Sequence, residues 1–211
     1  MTFDLDAWLA SAPPVPPIVA AGAPVLRRRA EEVPDLLFGT PVLGDLVNRM
    51  VEVMRKAPGV GLAAPQIGVP LRVFVAEDTE ERMTRLTPDG RALRRRTPLP
   101  LTVLVNPEVR PIGGDRALFF EGCLSVPGYG ALVDRFLGVD VTALHPSGQP
   151  LSLHLEGWPA RIMQHEIDHL DGTLYVDRML SRTFASDPEL VRWSGVAVDE
   201  VLLALDNRKL G

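Results

Sequence analysis

Between Pro159 and Gly172 the chain carries His165-Glu166-Ile167-Asp168-His169, and one backbone conformation makes chemical sense of that spacing. On an α-helix, residues four apart stand one above the other, so both imidazoles can reach a single metal ion. Glu166 follows the first histidine directly and can lean toward a metal-bound water rather than the metal. Four histidines in 211 residues would generate H-E-x-x-H by chance only about 0.005 times. The pattern therefore weighs against the bland alternative of two satisfied core histidines. A helix opened by Pro159, running through His169 and stopping near Gly172, is the element around which the rest must fold. His145, in a His-Pro-Ser-Gly turn, and His154, opposite the Leu151-Leu153-Leu155 face of its strand, read as bystanders.

Two imidazoles do not complete a catalytic centre, so the third ligand decides the class. A protease motif extended by a third histidine begins at His169-Leu170-Asp171-Gly172, but its last position is Tyr175. A glutamate on a later helix would complete a thermolysin-like set, and Glu189 and Glu200 are the candidates. Cys123, in Glu121-Gly122-Cys123-Leu124-Ser125, is the remaining soft ligand. A thiolate beside two imidazoles suits zinc or ferrous iron and leaves one position for water. Its bland alternative is a small buried hydrophobe. The flanking glycine, Ser125 and Pro127 argue against a plain core strand.

Around this helix the pattern predicts a mixed α and β chain. Pro13, Pro14, Pro16 and Pro17 mark residues 1–20 as an extended, proline-rich arm ahead of one domain over 21–211. Thr40 and Pro41 start a helix that continues to about Ala57, with Leu43, Leu46, Val47, Met50, Val53 and Met54 along one stripe. Gly59 to Gly68 reads as a backbone-exposing loop. Leu71–Ala76 and Leu101–Asn106 read as strands, the second stopped by Pro107, with Glu77 to Pro100 between them as a charged surface excursion. Val133 to Ala143 alternates as one half-buried strand, then turns through His145–Gly148 into a hairpin. A last amphipathic helix is expected from Asp187-Pro188 toward Asn207, weakened at Gly195.

Composition removes several function classes. Apolar residues make up 46% of the chain, enough for a full core. A net charge of -5 offers no basic face for nucleic acid, and the arginine runs at 27–29 and 94–96 read as solvated faces. No apolar stretch approaches the ~20 residues of a membrane span. No secretory signal or transit peptide is visible at the N-terminus. The lone Cys123 excludes an internal disulfide and fits a reducing compartment, so the cytoplasm is the economical expectation.

Three segments now converge. Gly59-Val60-Gly61-Leu62-Ala63-Ala64-Pro65-Gln66, Glu121-Gly122-Cys123-Leu124-Ser125 and Gln164-His165-Glu166-Ile167-Asp168-His169 resemble, in order, the three signature motifs of the peptide deformylase family. The likeness extends from about Ala21 to Phe184, with Ala23 where an acidic residue is common. The long excursion and Gly157-Trp158-Pro159-Ala160-Arg161 look closer to the organellar-type branch. One position departs from the pattern. Many members carry an arginine seven residues beyond the cysteine, where this chain has Gly130, although Val133-x-Arg135 is kept. That substitution implies altered peptide contacts rather than lost activity.

The resemblance implies an α+β fold: antiparallel sheets packed around the central metal-binding helix, with the Thr40 helix and the C-terminal helix outside. It implies removal of the formyl group from N-terminal formyl-methionine of new polypeptides, with hydroxide on the metal attacking the formyl carbon. Cys123, His165 and His169 would ligate one divalent metal ion, Fe2+ in the cell, although zinc, nickel or cobalt also suits such a set. Glu166 would serve as general base and acid. The amide of Gln66 and the backbone N–H of Leu124 would meet the developing oxyanion; a turn-stabilising polar residue is the alternative for Gln66. Gly59 and Gly61 suit strand-like contact with substrate backbone. Val60, Gly61, Glu121, Trp158 and Ile162 are the candidate substrate-binding residues, with Val60, Trp158 and Ile162 forming the methionine pocket. Arg135 and Asp168 read as orienting groups. Nascent formyl-methionyl chains are the expected partners, with transient ribosome association plausible for such an enzyme.

Overall fold

The computed structural model describes residues 3–84 and 88–206. The arm expected over 1–20 begins with a helix instead, α1 (Leu5–Ser11), capped by Asp4 accepting the Ala7 N–H at 2.9 Å. The reason is tertiary. Leu5, Trp8 and Leu9 pack into the apolar cluster of α2 (Pro41–Lys56), and Arg49 of α2 donates to the carbonyls of Leu9, Ala12 and Pro13. From Pro13 to Ala20 there is no helix or strand. Met1 and Thr2 lie outside the described residues. As its periodicity predicts, α2 buries Leu43, Leu46, Met50, Val53 and Met54, and Thr40 caps it by accepting from Leu43 N–H.

The glycine-rich stretch is not all loop. Gly61–Ala63 form β1, paired antiparallel with β2 (Val73–Asp78), and Ala64–Ile67 make one 3-10 turn. Small side chains let that backbone lie close to its neighbours. Two short helices follow β2, α3 (Glu80–Met83) and α4 (Pro88–Leu93). The excursion is therefore not wholly on the surface: Asp78, Met83 and Leu99 are buried. Residues 85–87 of it lie outside the described residues. The next strand, β3 (Leu99–Pro111), runs through Pro107 rather than stopping there. Its register against the strand Gly138–Leu144 shifts between Val105 and Glu108, with Asn106 at φ 50°, so the proline sits at an irregularity that needs no ladder N–H.

Beyond β3 come β4 (Arg116–Cys123), β5 (Val126–Phe136), β6 (Gly138–Leu144) and β7 (Pro150–Glu156). The alternation across 133–143 belongs to two strands in different sheets, β5 and β6, with the crossing at Leu137. Next is α5 (Gly157–Leu170), the metal-motif helix, followed by α6 (Tyr175–Arg178) and β8 (Ala185–Ser186). The expected C-terminal helix is two, α7 (Asp187–Arg192) and α8 (Val198–Leu205), parted at Gly195 with φ 88°. Asn207, its expected end, lies outside the described residues.

The fold is α+β. One sheet has the order β1-β2-β3-β6-β7 and the other β4-β5-β8, all pairs antiparallel. Along β2, Val73 and Val75 face the α2 cluster while Phe74 and Ala76 face α5. A strand buried on both faces reads as an unbroken apolar run, which is why Leu71–Ala76 does. Burying Phe74 alone contributes about 1.5–3 kcal/mol. In β5, Ala131 and Val133 pack with Tyr175, while Leu132 packs with Val201 and Leu202 of α8. The metal-motif helix thus contacts both sheets, with α2 and α8 on the outer faces.

Candidate active site and metal centre

Cys123 ends β4, and the next turn of chain brings its sulfur against the helix α5. The donor atoms of Cys123, His165 and His169 all lie within 4.8 Å of one another, and the Cys123 Sγ to His169 Nε2 separation is 3.2 Å. The rings of His165 and His169 stand edge to face with centroids 5.0 Å apart. One soft thiol and two imidazoles at this spacing are a donor set for zinc, iron or a similar divalent ion. Burial opposes charge on His165, yet the Cys123 sulfur and Glu121 together hold its pKa well above the ordinary value. Burial, with the neighbouring His165 and Arg135 charges, pushes His169 well below its ordinary value. Neutral imidazole is the ligating form.

A buried ionic network orients this set. His165 Nδ1 meets Glu121 Oε2 at 3.1 Å, which leaves Nε2 as the nitrogen for a metal. Arg135 donates to both Glu121 oxygens at 2.9 Å and to Asp168 Oδ2 at 2.6 Å. Arg178 completes Asp168 with contacts of 2.7 and 2.8 Å. Burial raises the cost of charge on Glu121, but the hydrogen bonds from His165 and Arg135 outweigh it and hold its carboxyl well below the usual range. Both oxygens of Glu121 are thus engaged inward, although the residue borders the cleft. Of the two, Oε1 carries only the Arg135 Nε contact.

Glu166, next after His165, faces Gly61 of β1. It is 4% exposed, and its Oε2 is buried without a hydrogen-bond partner. Burial first, then the Glu121 charge, pushes its carboxyl up to about 7 against the opposing pull of His165. The glycine of β1 makes room for it, since a Cβ on Gly61 would stand 2.2 Å from Glu166 Oε1. Gln66 is fixed by Oε1 accepting from Ala63 N–H at 2.9 Å. Its Nε2 therefore faces Cys123 Sγ at 3.6 Å and Ser125 Oγ at 3.3 Å. Ser125, fully buried, also directs its N–H at Cys123 Sγ from 3.4 Å. Sequence reasoning passed over Ser125 and Arg178. The first could have been found from its place two residues after the cysteine in the same motif; Arg178 carries no local signal.

A cleft of about 650 Å³ opens over these groups, bordered by Val60, Gly61, Gln66, Glu121, Cys123, Leu124, Trp158, Ile162, His165 and Glu166. The candidate catalytic, ligand and substrate residues therefore share one cavity, except that His169 lies beneath it. Glu189 does not belong there: it is exposed on α7 and faces Arg192 at 3.6 Å. Glu200 is exposed on α8. The Glu-ligated alternative finds no geometry among the described residues. His145 bonds Ser147 in its turn, and His154 pairs with Asp140 at the surface. Beside Gly130, a Cβ would meet Glu121 O at 2.6 Å and Leu190 Cδ1 at 2.9 Å. No side chain fits there.

Comparison with known proteins agrees with this geometry. The family model described as polypeptide deformylase matches residues 15–184. The chain is 49% identical over 170 residues to the chloroplastic peptide deformylase 1A of Solanum lycopersicum, covering 81% of this chain and 61% of that one. It is 48% identical over 202 residues to peptide deformylase 3 of Streptomyces avermitilis, covering 95% and 88%. The Met-Ala-Ser-bound crystal structure of a class I type b peptide deformylase from Acinetobacter baumannii superposes with a TM-score of 0.70 at 32% identity, covering 78% of this chain and 98% of that one. The chain thus spans about three fifths of the length of the plant relative. No helix among the described residues is long and apolar enough to cross a membrane.

Proposed function

The chain belongs to the polypeptide deformylase family, and on that premise we propose that it hydrolyses the N-formyl group of formyl-methionine on newly made polypeptides, releasing formate. The observation that carries the reading is the meeting of Cys123, His165 and His169 within 4.8 Å beside a buried glutamate, at a cleft that Cys123, His165 and Glu166 border. We take residues 21–211 as the single catalytic domain. A divalent ion held by Cys123, His165 and His169 would supply Lewis acidity, lowering the pKa of water and offsetting charge on the formyl oxygen.

The chain's own residues account for the rest. Glu166 takes a proton from the attacking water through its unengaged Oε2. The water oxygen adds to the formyl carbon, the C–N bond breaks, and Glu166 returns the proton to the leaving amine. Gln66 Nε2 and the Leu124 N–H donate to the oxygen that gains charge, and losing one such donor commonly costs about 3 kcal/mol of transition-state stabilisation. Arg135 keeps Glu121 ionised, and Glu121 keeps His165 turned to the metal side. The backbone of Gly59 to Gly61 receives the peptide as an added strand, and Val60, Trp158 and Ile162 wall in the methionine side chain.

Fe2+ is the ion we propose in the cell, the same donors being compatible with zinc, nickel or cobalt. The cytoplasm is the compartment we propose from the lone thiol, and the chloroplastic name of the plant relative makes an organelle interior its competitor. Brief association with the ribosome would suit a substrate that is a nascent chain. The test is formate release from formyl-Met-Ala-Ser by iron- or nickel-loaded protein under anaerobic conditions, with Glu166→Ala as control. Absence of formate from the loaded wild type overturns the proposal.

A further inference from the structure

Asp78 closes β2 at the start of the charged excursion and is 0% exposed, a place where a carboxylate is strongly disfavoured unless it is matched. Its oxygens take Arg96 Nε at 2.7 Å and Nη2 at 3.1 Å, and Oδ2 also accepts the Trp158 indole N–H at 2.8 Å. The Arg96 guanidinium lies over the Trp158 ring, 4.7 Å from its centroid. A second guanidinium, that of Arg161, lies 4.8 Å from the same centroid and 3.9 Å from that of Phe119. Arg96, Trp158 and Arg161 all border the cleft. Edge and face of the indole are both held.

The backbone repeats the connection. Trp158 N–H donates to the carbonyl of Arg95 at 3.1 Å. Gly157 stands at φ 61°, where a Cβ would also meet that carbonyl at 2.9 Å. The end of the excursion is therefore joined to the first turn of the metal-motif helix by side chain and main chain together.

We infer that the excursion is a specificity element, in which Asp78 and Arg96 act as positioning residues that hold Trp158 as a rigid wall selecting an unbranched methionine side chain. The inference rests on the deformylase reading for its substrate, but not on turnover for its test. A methylene's worth of fit in an apolar pocket discriminates about 10- to 200-fold, so a wall freed to move forfeits a measurable part of that.

The experiment compares binding of the peptides Met-Ala-Ser and Leu-Ala-Ser by calorimetry, with formate release measured separately. The wild type is expected to prefer the methionine peptide, and Arg96→Ala to lose about fivefold of that preference. In turnover, KM for formyl-Met-Ala-Ser should rise in Arg96→Ala while kcat and metal content stay within about twofold of wild type. Arg96→Lys keeps a charge beside Asp78 without the flat guanidinium over the indole. It is expected to retain the fold and recover only part of the preference. A merely structural role would lower melting temperature and leave the peptide ratio unmoved. Unchanged preference in folded Arg96→Lys and Arg96→Ala, or no preference in the wild type, overturns the inference. Missing formate with an intact binding preference would instead sink the catalytic reading alone.

Discussion

Gly61→Ala tests the site at its tightest contact. Gly61 is not among the glycines with positive φ, so only space is at stake. The added Cβ would stand 2.2 Å from Glu166 Oε1, whereas ordinary contact begins near 3.4 Å, so the atoms must part by about 1.2 Å. The backbone of β1 is the stiffer side, because Gly61 is buried and paired with Ala76 of β2. The Glu166 carboxylate is therefore the group that retreats. A misplacement of ~1 Å at a reacting group can cost about 100-fold, equivalent to about 2.7 kcal/mol of barrier. Formate release at saturating formyl-Met-Ala-Ser should fall by roughly that factor, with metal stoichiometry unchanged because Cys123, His165 and His169 are not displaced. Turnover within about threefold of wild type would refute the reasoning, since it would mean that Glu166 has room the packing denies it or has no part in proton transfer.

Replacing the ligands should separate the two classes of site: Cys123→Ala is expected to abolish stoichiometric metal in the purified protein, while Glu189→Ala, remote on α7, leaves it intact by elemental analysis. Arg135→Leu strands the carboxylates of Glu121 and Asp168 in a buried setting, though Arg178 still serves Asp168, and should cost about 3–5 kcal/mol in urea unfolding; a loss under 1 kcal/mol would show the network to be ornamental. At Asp177, burial raises the carboxyl, but the Leu174 N–H and Arg27 more than offset this and hold it below its ordinary value. Its stabilisation is thus complete above the unfolded pKa of about 4 and is lost as pH falls through the lower folded value. Asp177→Ala should cost about 1 kcal/mol at neutral pH and flatten the acid limb of a melting-temperature profile; an unaltered limb would contradict the sign.

The chemistry was legible in the sequence because it is written locally. His165 and His169 share one helical face by spacing alone, with Glu166 next to the first of them, and Cys123 and Gln66 fall in short glycine-bearing segments that need no tertiary knowledge to notice. What stayed hidden depends on contacts between distant positions. The alternation of Val133, Leu137, Val139 and Val141 continues through a change of sheet, since a two-residue period carries no record of which partner each residue meets. The Leu5–Ser11 helix exists because α2 offers it an apolar surface and Arg49 holds its end, neither visible within the arm. Asp78 looked like one charge in a charged stretch; only the fold places Arg96 and Trp158 around it. Glu121 read from its signature motif as a substrate-binding residue; that it also orients His165 was hidden, because its partners His165 and Arg135 lie on two other elements.

The crowding at Gly130 ties a departure seen in the sequence to a segment much later in the chain. The family resemblance leads one to expect an arginine there, and in this chain a folded segment, β8 with α7, runs alongside, pairing Gly130 with Ala185 and resting Leu190 where a side chain would begin. Leu190 acts as a borrowed side chain, supplied from a segment much later in the polypeptide. Arginine and Leu190 are rival tenants of one volume. An arginine placed at position 130 would have to displace Leu190, so filling that position and moving α7 amount to a single coupled change.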